Sequence, residues 1–161
     1  MHMNATLESA AQLSTYLAEH EVDPILYGSL GASIYLGAFK QFGDIDLLIE
    51  SAWLDEQWPE LVRIMHDQNF ELVDPREHEF RNKEGLAVAF ADKSILVRDK
   101  IITSPNEIVE RMIGSVVVST LSPEAFRRAY AFSKQDGYRR DVRQKNDEAI
   151  IHRLEAYIRD H

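Results

Sequence analysis

The chain has 161 residues, 45% hydrophobic and 28% charged, which suits one soluble domain with a real core. It has no cysteine, so disulfides, thiolate metal sites and cysteine nucleophiles are excluded, in keeping with a reducing cytoplasm. The net charge of −9 disfavours a long nucleic-acid substrate, because surplus acid repels a phosphate backbone.

In chain order, the opening MHMNATLESA lacks the basic-then-apolar pattern of a signal peptide. Residues 5–20 predict an amphipathic helix, with Leu7, Ala10, Leu13 and Leu17 on one stripe. Asp23-Pro24 breaks it, and 25–27 form a short strand that runs into Gly28-Ser29. A helix is expected over 32–39, ending near Gly37, and then a buried strand over 44–50. The next helix is expected over 53–68, or only from Pro59, which sits inside that pattern and suits a first turn. Strands are expected at 70–73, 77–81 and 86–91, the last two joined by a hairpin turn at 82–85.

Ser104-Pro105-Asn106-Glu107 has the form of a capping box and predicts a helix start. Ser122-Pro123-Glu124 opens a helix to about residue 134. A final helix runs over 139–159 with the stripe Ile150, Ile151, Leu154 and Ile158. No apolar run approaches the roughly 20 residues of a membrane span. The order predicts an α+β or α/β fold with a small mixed sheet. The sheet core falls at about 22–92 and a helical C-terminal part at about 104–159, in a single domain over 1–161.

Two aspartates, Asp44 and Asp46, head the apolar run Leu47-Leu48-Ile49. Alternation on a strand puts them on one side, with Ile45 and Leu47 facing the core. Adjacent carboxylates repel unless a cation or a shared proton relieves them. Magnesium suits the pair, because it binds through one or two carboxylates plus substrate phosphates. Upstream, a strand ending in Gly28-Ser29 and leading into a helix offers free backbone N–H groups to a phosphate. Gly28 permits close approach, Ser29 adds a hydroxyl, and Gly31 eases the turn.

The hydrophobic strand, Gly28-Ser29-Leu30-Gly31, the helix ending in Leu36-Gly37, and Asp44-Ile45-Asp46 together resemble the DNA polymerase beta-like nucleotidyltransferase superfamily. The likeness is nearest to its small lincosamide and aminoglycoside nucleotidyltransferases, and the segment LSPEAFRRAYAFSKQDGYRRDVRQKNDEAII is similar to their closing helices. The resemblance implies a mixed sheet with packed helices, Mg2+, and a nucleoside triphosphate donor, with ATP first among the candidates. Asp44 and Asp46 would hold the metal, and Gly28, Ser29 and Lys145 the triphosphate. The family commonly carries a third carboxylate on a later strand, as metal ligand or general base. The matching position here is Ala89. Asp92, at the end of that strand and one residue out of phase, is the expected catalytic acid in its place. Glu79, on the preceding strand, is the other substitute.

Arg127, Arg128, Lys134, Arg139, Arg140, Arg143 and Lys145 form a basic stretch, read either as a solvated helix face or as a site for a phosphorylated small molecule. His66, His78 and His152 lack zinc-ligand spacing, and Trp53 and Trp58 read as core or interface residues.

Three functions fit these features. The first is a magnesium-dependent transferase that moves a nucleoside monophosphate onto a hydroxyl of a small molecule or a protein. The second is a nucleotide-binding or regulatory module that has lost transfer along with the third acid. The third is the toxin of a two-protein system. A homodimer is compatible with each.

Overall fold

The computed structural model describes residues 5–37, 44–135 and 142–161. Helix α1 (Ala5–Glu19) presents Ala10, Leu13 and Leu17 to the core, as its stripe requires. Strand β1 (Ile25–Tyr27) then leads without a break into helix α2 (Gly28–Leu36). The helix starts at Gly28 instead of near residue 32. A backbone φ of +66° at Gly28 turns the chain directly from strand to helix, a conformation favoured by glycine. Residues 38 and 39, expected at the helix end, lie outside the described residues.

Strand β2 (Asp44–Ile49) leads through a 3-10 turn at Ser51–Leu54 to helix α3 (Trp58–Asp67), which begins with Pro59 in its first turn. Strands β3 (Glu71–Asp74), β4 (Glu79–Arg81) and β5 (Ala87–Asp92) come next, close to their expected places. The turn between β4 and β5 is closed by a hydrogen bond from the Gly85 N–H to the Asn82 carbonyl.

The segment after β5 differs from its helical expectation. A short helix α4 (Ile95–Arg98) precedes a single 3-10 turn at Pro105–Glu107, where Ser104 Oγ accepts from the Asn106 N–H. The chain then forms a hairpin of β6 (Ile108–Ile113) and β7 (Val116–Leu121). The capping sequence is genuine, but the segment beyond it is rich in β-branched residues and is split by Gly114, whose φ is +63°. Strand propensity and the turn prevail over the cap. Helices α5 (Pro123–Gln135) and α6 (Val142–Asp160) complete the chain.

The strands form one seven-stranded mixed sheet in the order β3-β4-β5-β2-β1-β7-β6. At its centre β2 runs parallel to β5 and antiparallel to β1, and β1 runs parallel to β7. Alternation along β2 sends Ile45, Leu47 and Ile49 into the cluster built with α1 and α3. Leu48 packs on the opposite face with Ile25 and with Phe126 and Leu154 of α5 and α6. The sheet is thus covered by helices on both faces. Asp44 and Asp46 share the α5–α6 face by the same alternation. No helix among the described residues is long and apolar enough to cross a membrane.

Candidate active site

The site is built around the first half of β2. Asp44 is exposed and Asp46 is half-buried, whereas Ile45 between them is fully buried. Burying Ile45 fixes the strand register, because a slip of one residue would exchange the two faces. The register aligns Tyr27 with Asp46 on one side and Ala89 with Asp46 on the other. Ala89 in turn pairs with Glu79. One row across four strands therefore reads Tyr27, Asp46, Ala89, Glu79, with all four side chains on one face. The neighbouring row reads Asp44, Ala87, Arg81.

The glycine turn touches the acids directly. A methyl group on Gly28 would collide with Asp46 Oδ2, well inside the 3.0 Å that real contacts respect. The first turn of α2 and the carboxylate of β2 are therefore packed together, with glycine at the contact. Tyr27, the residue capping α2, makes no side-chain hydrogen bond to the first turn, and Ser29 is half-buried beside it. The leading N–H groups of a helix have no intrahelical partner and favour an anion. Gly31 has a different role. A methyl there would meet Phe126 Cζ at 2.6 Å, so this glycine lets α5 approach α2.

Tyr27 is not singled out by sequence reasoning, yet it stands next to Asp46. Its ring stacks on Phe126 at a centroid distance of 6.3 Å. Burial raises its phenol pKa far above the ordinary value, and the charges of Asp99 and Asp46 push the same way. The hydroxyl therefore keeps its proton at neutral pH. Only the strand register reveals this placement, because Tyr27 reads in sequence as one more apolar strand residue.

The other expected site residues are placed apart from this group or beyond description. Asp92 aligns with Ile49, three residues along β2 from Asp46, and Oδ1 accepts from the Ser94 N–H. It belongs to the alternate set of β5 positions, with Val88 and Phe90, so the sheet does not bring it to Asp44 and Asp46. The side chain of Lys145 lies outside the described residues, as do those of Lys134, Arg139, Arg140 and Arg143. Arg127 pairs with Glu155 at 3.1 Å. Arg128 donates to Glu107 at 2.8 Å and to the Ile101 carbonyl at 2.7 Å, so both arginines join helices and loops of the fold.

The donor set fits a hard cation. It has two carboxylates on adjacent same-face positions, and a glycine at the one place where a side chain would displace Asp46 Oδ2. Among the described residues, no three His, Asp or Glu side chains converge to hold a metal ion.

The comparisons with known proteins agree with this architecture. The uncharacterized protein YnaI of Bacillus subtilis (strain 168) is 31% identical over 147 residues, which span 91% of this chain and 92% of that protein. An antigenic nucleotidyltransferase-like protein from Paracoccidioides brasiliensis superposes with a TM-score of 0.67 at 16% identity, over 92% of this chain and 74% of its own. The lincosamide antibiotic adenylyltransferase LnuA, solved with lincomycin bound, superposes with a TM-score of 0.64 at 13% identity, over 96% of this chain and 98% of its own. No protein-family model matches the chain. It belongs, therefore, to the family of Bacillus subtilis YnaI, and it carries the nucleotidyltransferase fold.

Proposed function

We propose that the protein is a nucleotidyltransferase that moves a nucleoside monophosphate from a triphosphate, ATP first, onto a hydroxyl of a small molecule or a protein. The observation that carries this reading is the contact between Gly28 and Asp46, which joins an anion-binding helix start to a pair of carboxylates. Asp44 and Asp46 would hold Mg2+, with phosphate oxygens and water as its remaining ligands. When bound there, the ion supplies charge neutralisation for the phosphates and the departing pyrophosphate. The chain's own groups do the positioning. The N–H groups of Gly28 and Ser29 would orient the phosphates, Asp46 holds its carboxylate against that turn and would hold the ion there, and Tyr27, aligned with Asp46 on the next strand, keeps its phenol protonated. The net charge of −9 favours a small or protein acceptor over a nucleic acid, and the cysteine-free composition suits the cytoplasm.

The test is transfer of label from an α-phosphate-labelled triphosphate to candidate hydroxyl acceptors, with pyrophosphate release measured in parallel. Lincomycin is a reasonable first acceptor, since it is bound in LnuA. Asp46→Asn and Asp44→Asn are expected to lower turnover by at least about 100-fold, the range set by loss of charge stabilisation at a reacting phosphate. Unchanged turnover in both variants would refute the site.

Ala89 favours a second reading. The position opposite Asp46, where the superfamily resemblance implies a carboxylate, carries only a methyl group. A chain lacking that acid would bind magnesium triphosphate without transferring from it. Binding without pyrophosphate release, under conditions where Asp46→Asn loses binding, identifies this module.

A further inference from the structure

The alanine at position 89 has an acid aligned with it on each side. Asp46 stands on one neighbouring strand and Glu79 on the other, both aligned with Ala89 and both on the same face. At about 4.8 Å per strand step, their backbones are roughly 10 Å apart. Glutamate is one methylene longer than aspartate, and the residue between them in the row, Ala89, carries only a methyl. The Glu79 side chain is 27% exposed and is held by Arg81, whose Nη2 donates to Oε2 at 3.0 Å. Arg81 aligns with Ala87, which aligns with Asp44, so the Glu79–Arg81 pair lines one side of the alanine floor and the two aspartates line the other.

Resting on the nucleotidyl-transfer reading, we propose that Glu79 reaches over Ala89 and accepts the proton of the attacking hydroxyl, so that the third acid of this site comes from β4. The separation from Asp46 suits a base that contacts the acceptor better than a third ligand to the same ion. The acceptor O–H bond breaks and its proton passes to a Glu79 carboxylate oxygen. The acceptor oxygen forms a bond to the α-phosphorus. The bond from that phosphorus to the bridging oxygen breaks, and pyrophosphate leaves with the electron pair. Asp92, on the opposite set of β5 positions, takes no part.

Water can serve as the acceptor in a test that needs no identified substrate, with ATP converted to AMP and pyrophosphate. Magnesium ATP binding is measured by calorimetry and pyrophosphate release by a coupled assay, for the wild type, Asp46→Asn, Glu79→Gln and Glu79→Ala. Glu79→Gln should bind magnesium ATP within twofold of wild type while its turnover falls by about 100-fold, the lower end of what a general base contributes. Added formate, a free carboxylate, should restore part of the turnover in Glu79→Ala. A Glu79→Gln rate within twofold of wild type overturns the assignment. A wild type that binds magnesium ATP through Asp46 but releases no pyrophosphate is the non-transferring module, and it sinks the transfer reading on which the assignment rests. So does a wild type that does not bind magnesium ATP, or an Asp46→Asn variant that binds it equally well.

Discussion

Gly28 is the residue on which the site turns. It needs a positive φ to pass from β1 into α2, and it needs no side chain because Asp46 Oδ2 occupies that space. Gly28→Ala should therefore act twice. Backbone strain at positive φ costs about 1–3 kcal/mol, read as a lower denaturant midpoint in urea unfolding. The new methyl also pushes Asp46 aside, so magnesium ATP affinity should fall at least tenfold in calorimetry. Gly31→Ala supplies the contrast. The nearest neighbours of its methyl are Phe126 and the Leu26 carbonyl, so its cost falls on α2–α5 packing. An affinity in Gly28→Ala equal to wild type would separate the turn from the acids. Both halves of this pair are legible in sequence, because a Gly-Ser turn and an Asp-x-Asp strand are local patterns. Tyr27 and Glu79 are harder to place. Their relation to Asp46 depends on which strands neighbour β2 and in what register, and no local pattern carries that.

Among the elements, the β6–β7 hairpin is tied to α5 through Glu107. Its carboxylate accepts from the Thr103 N–H and hydroxyl, both at 2.7 Å, and from Arg128 at 2.8 Å. Its carbonyl accepts from the Ser122 N–H at 2.8 Å, just before α5 begins. Burial works to raise the Glu107 pKa, but the Thr103 hydrogen bonds and the Arg128 charge outweigh it and hold the carboxyl below its usual range. A depressed folded pKa means that the clamp is fully formed above the ordinary glutamate value of about 4.3 and is lost as pH falls through the folded value. Glu107→Gln should lower stability at neutral pH by roughly 1–3 kcal/mol, the range for a charge-assisted hydrogen bond. It should also flatten the loss of stability below about pH 4.3, measured as urea midpoints across pH. An unchanged acid limb would show that the clamp does not form. Sequence points to a helix here because Ser104 and Glu107 have capping-box spacing. The structure uses Ser104 as a cap for one 3-10 turn only, and turns Glu107 to Thr103 and Arg128 instead. The β-branched run after it is the better signal, since strand pairing against β1 and packing on α1 satisfy it.

Across the molecule as a whole, the sheet is covered on both faces, and the acids lie on the α5–α6 side where Leu48 gives way to Asp46 and Asp44. The amphipathic stripes of α1 and α6 and the buried strand β2 reveal the layers in sequence, because burial imposes periodicity. The strand order does not show, because β1, β2 and β5 become neighbours through long-range contacts alone. The proposed function stands or falls on whether the start of α2 and the head of β2 form one magnesium triphosphate site. A crystal structure of the protein with magnesium and a non-hydrolysable ATP analogue decides this. The expected result is a magnesium ion about 2.1 Å from oxygens of both Asp44 and Asp46, phosphate oxygens on the Gly28 and Ser29 N–H groups, and Glu79 facing the α-phosphate across Ala89. A triphosphate bound elsewhere, or a metal ion held without Asp46, would contradict it.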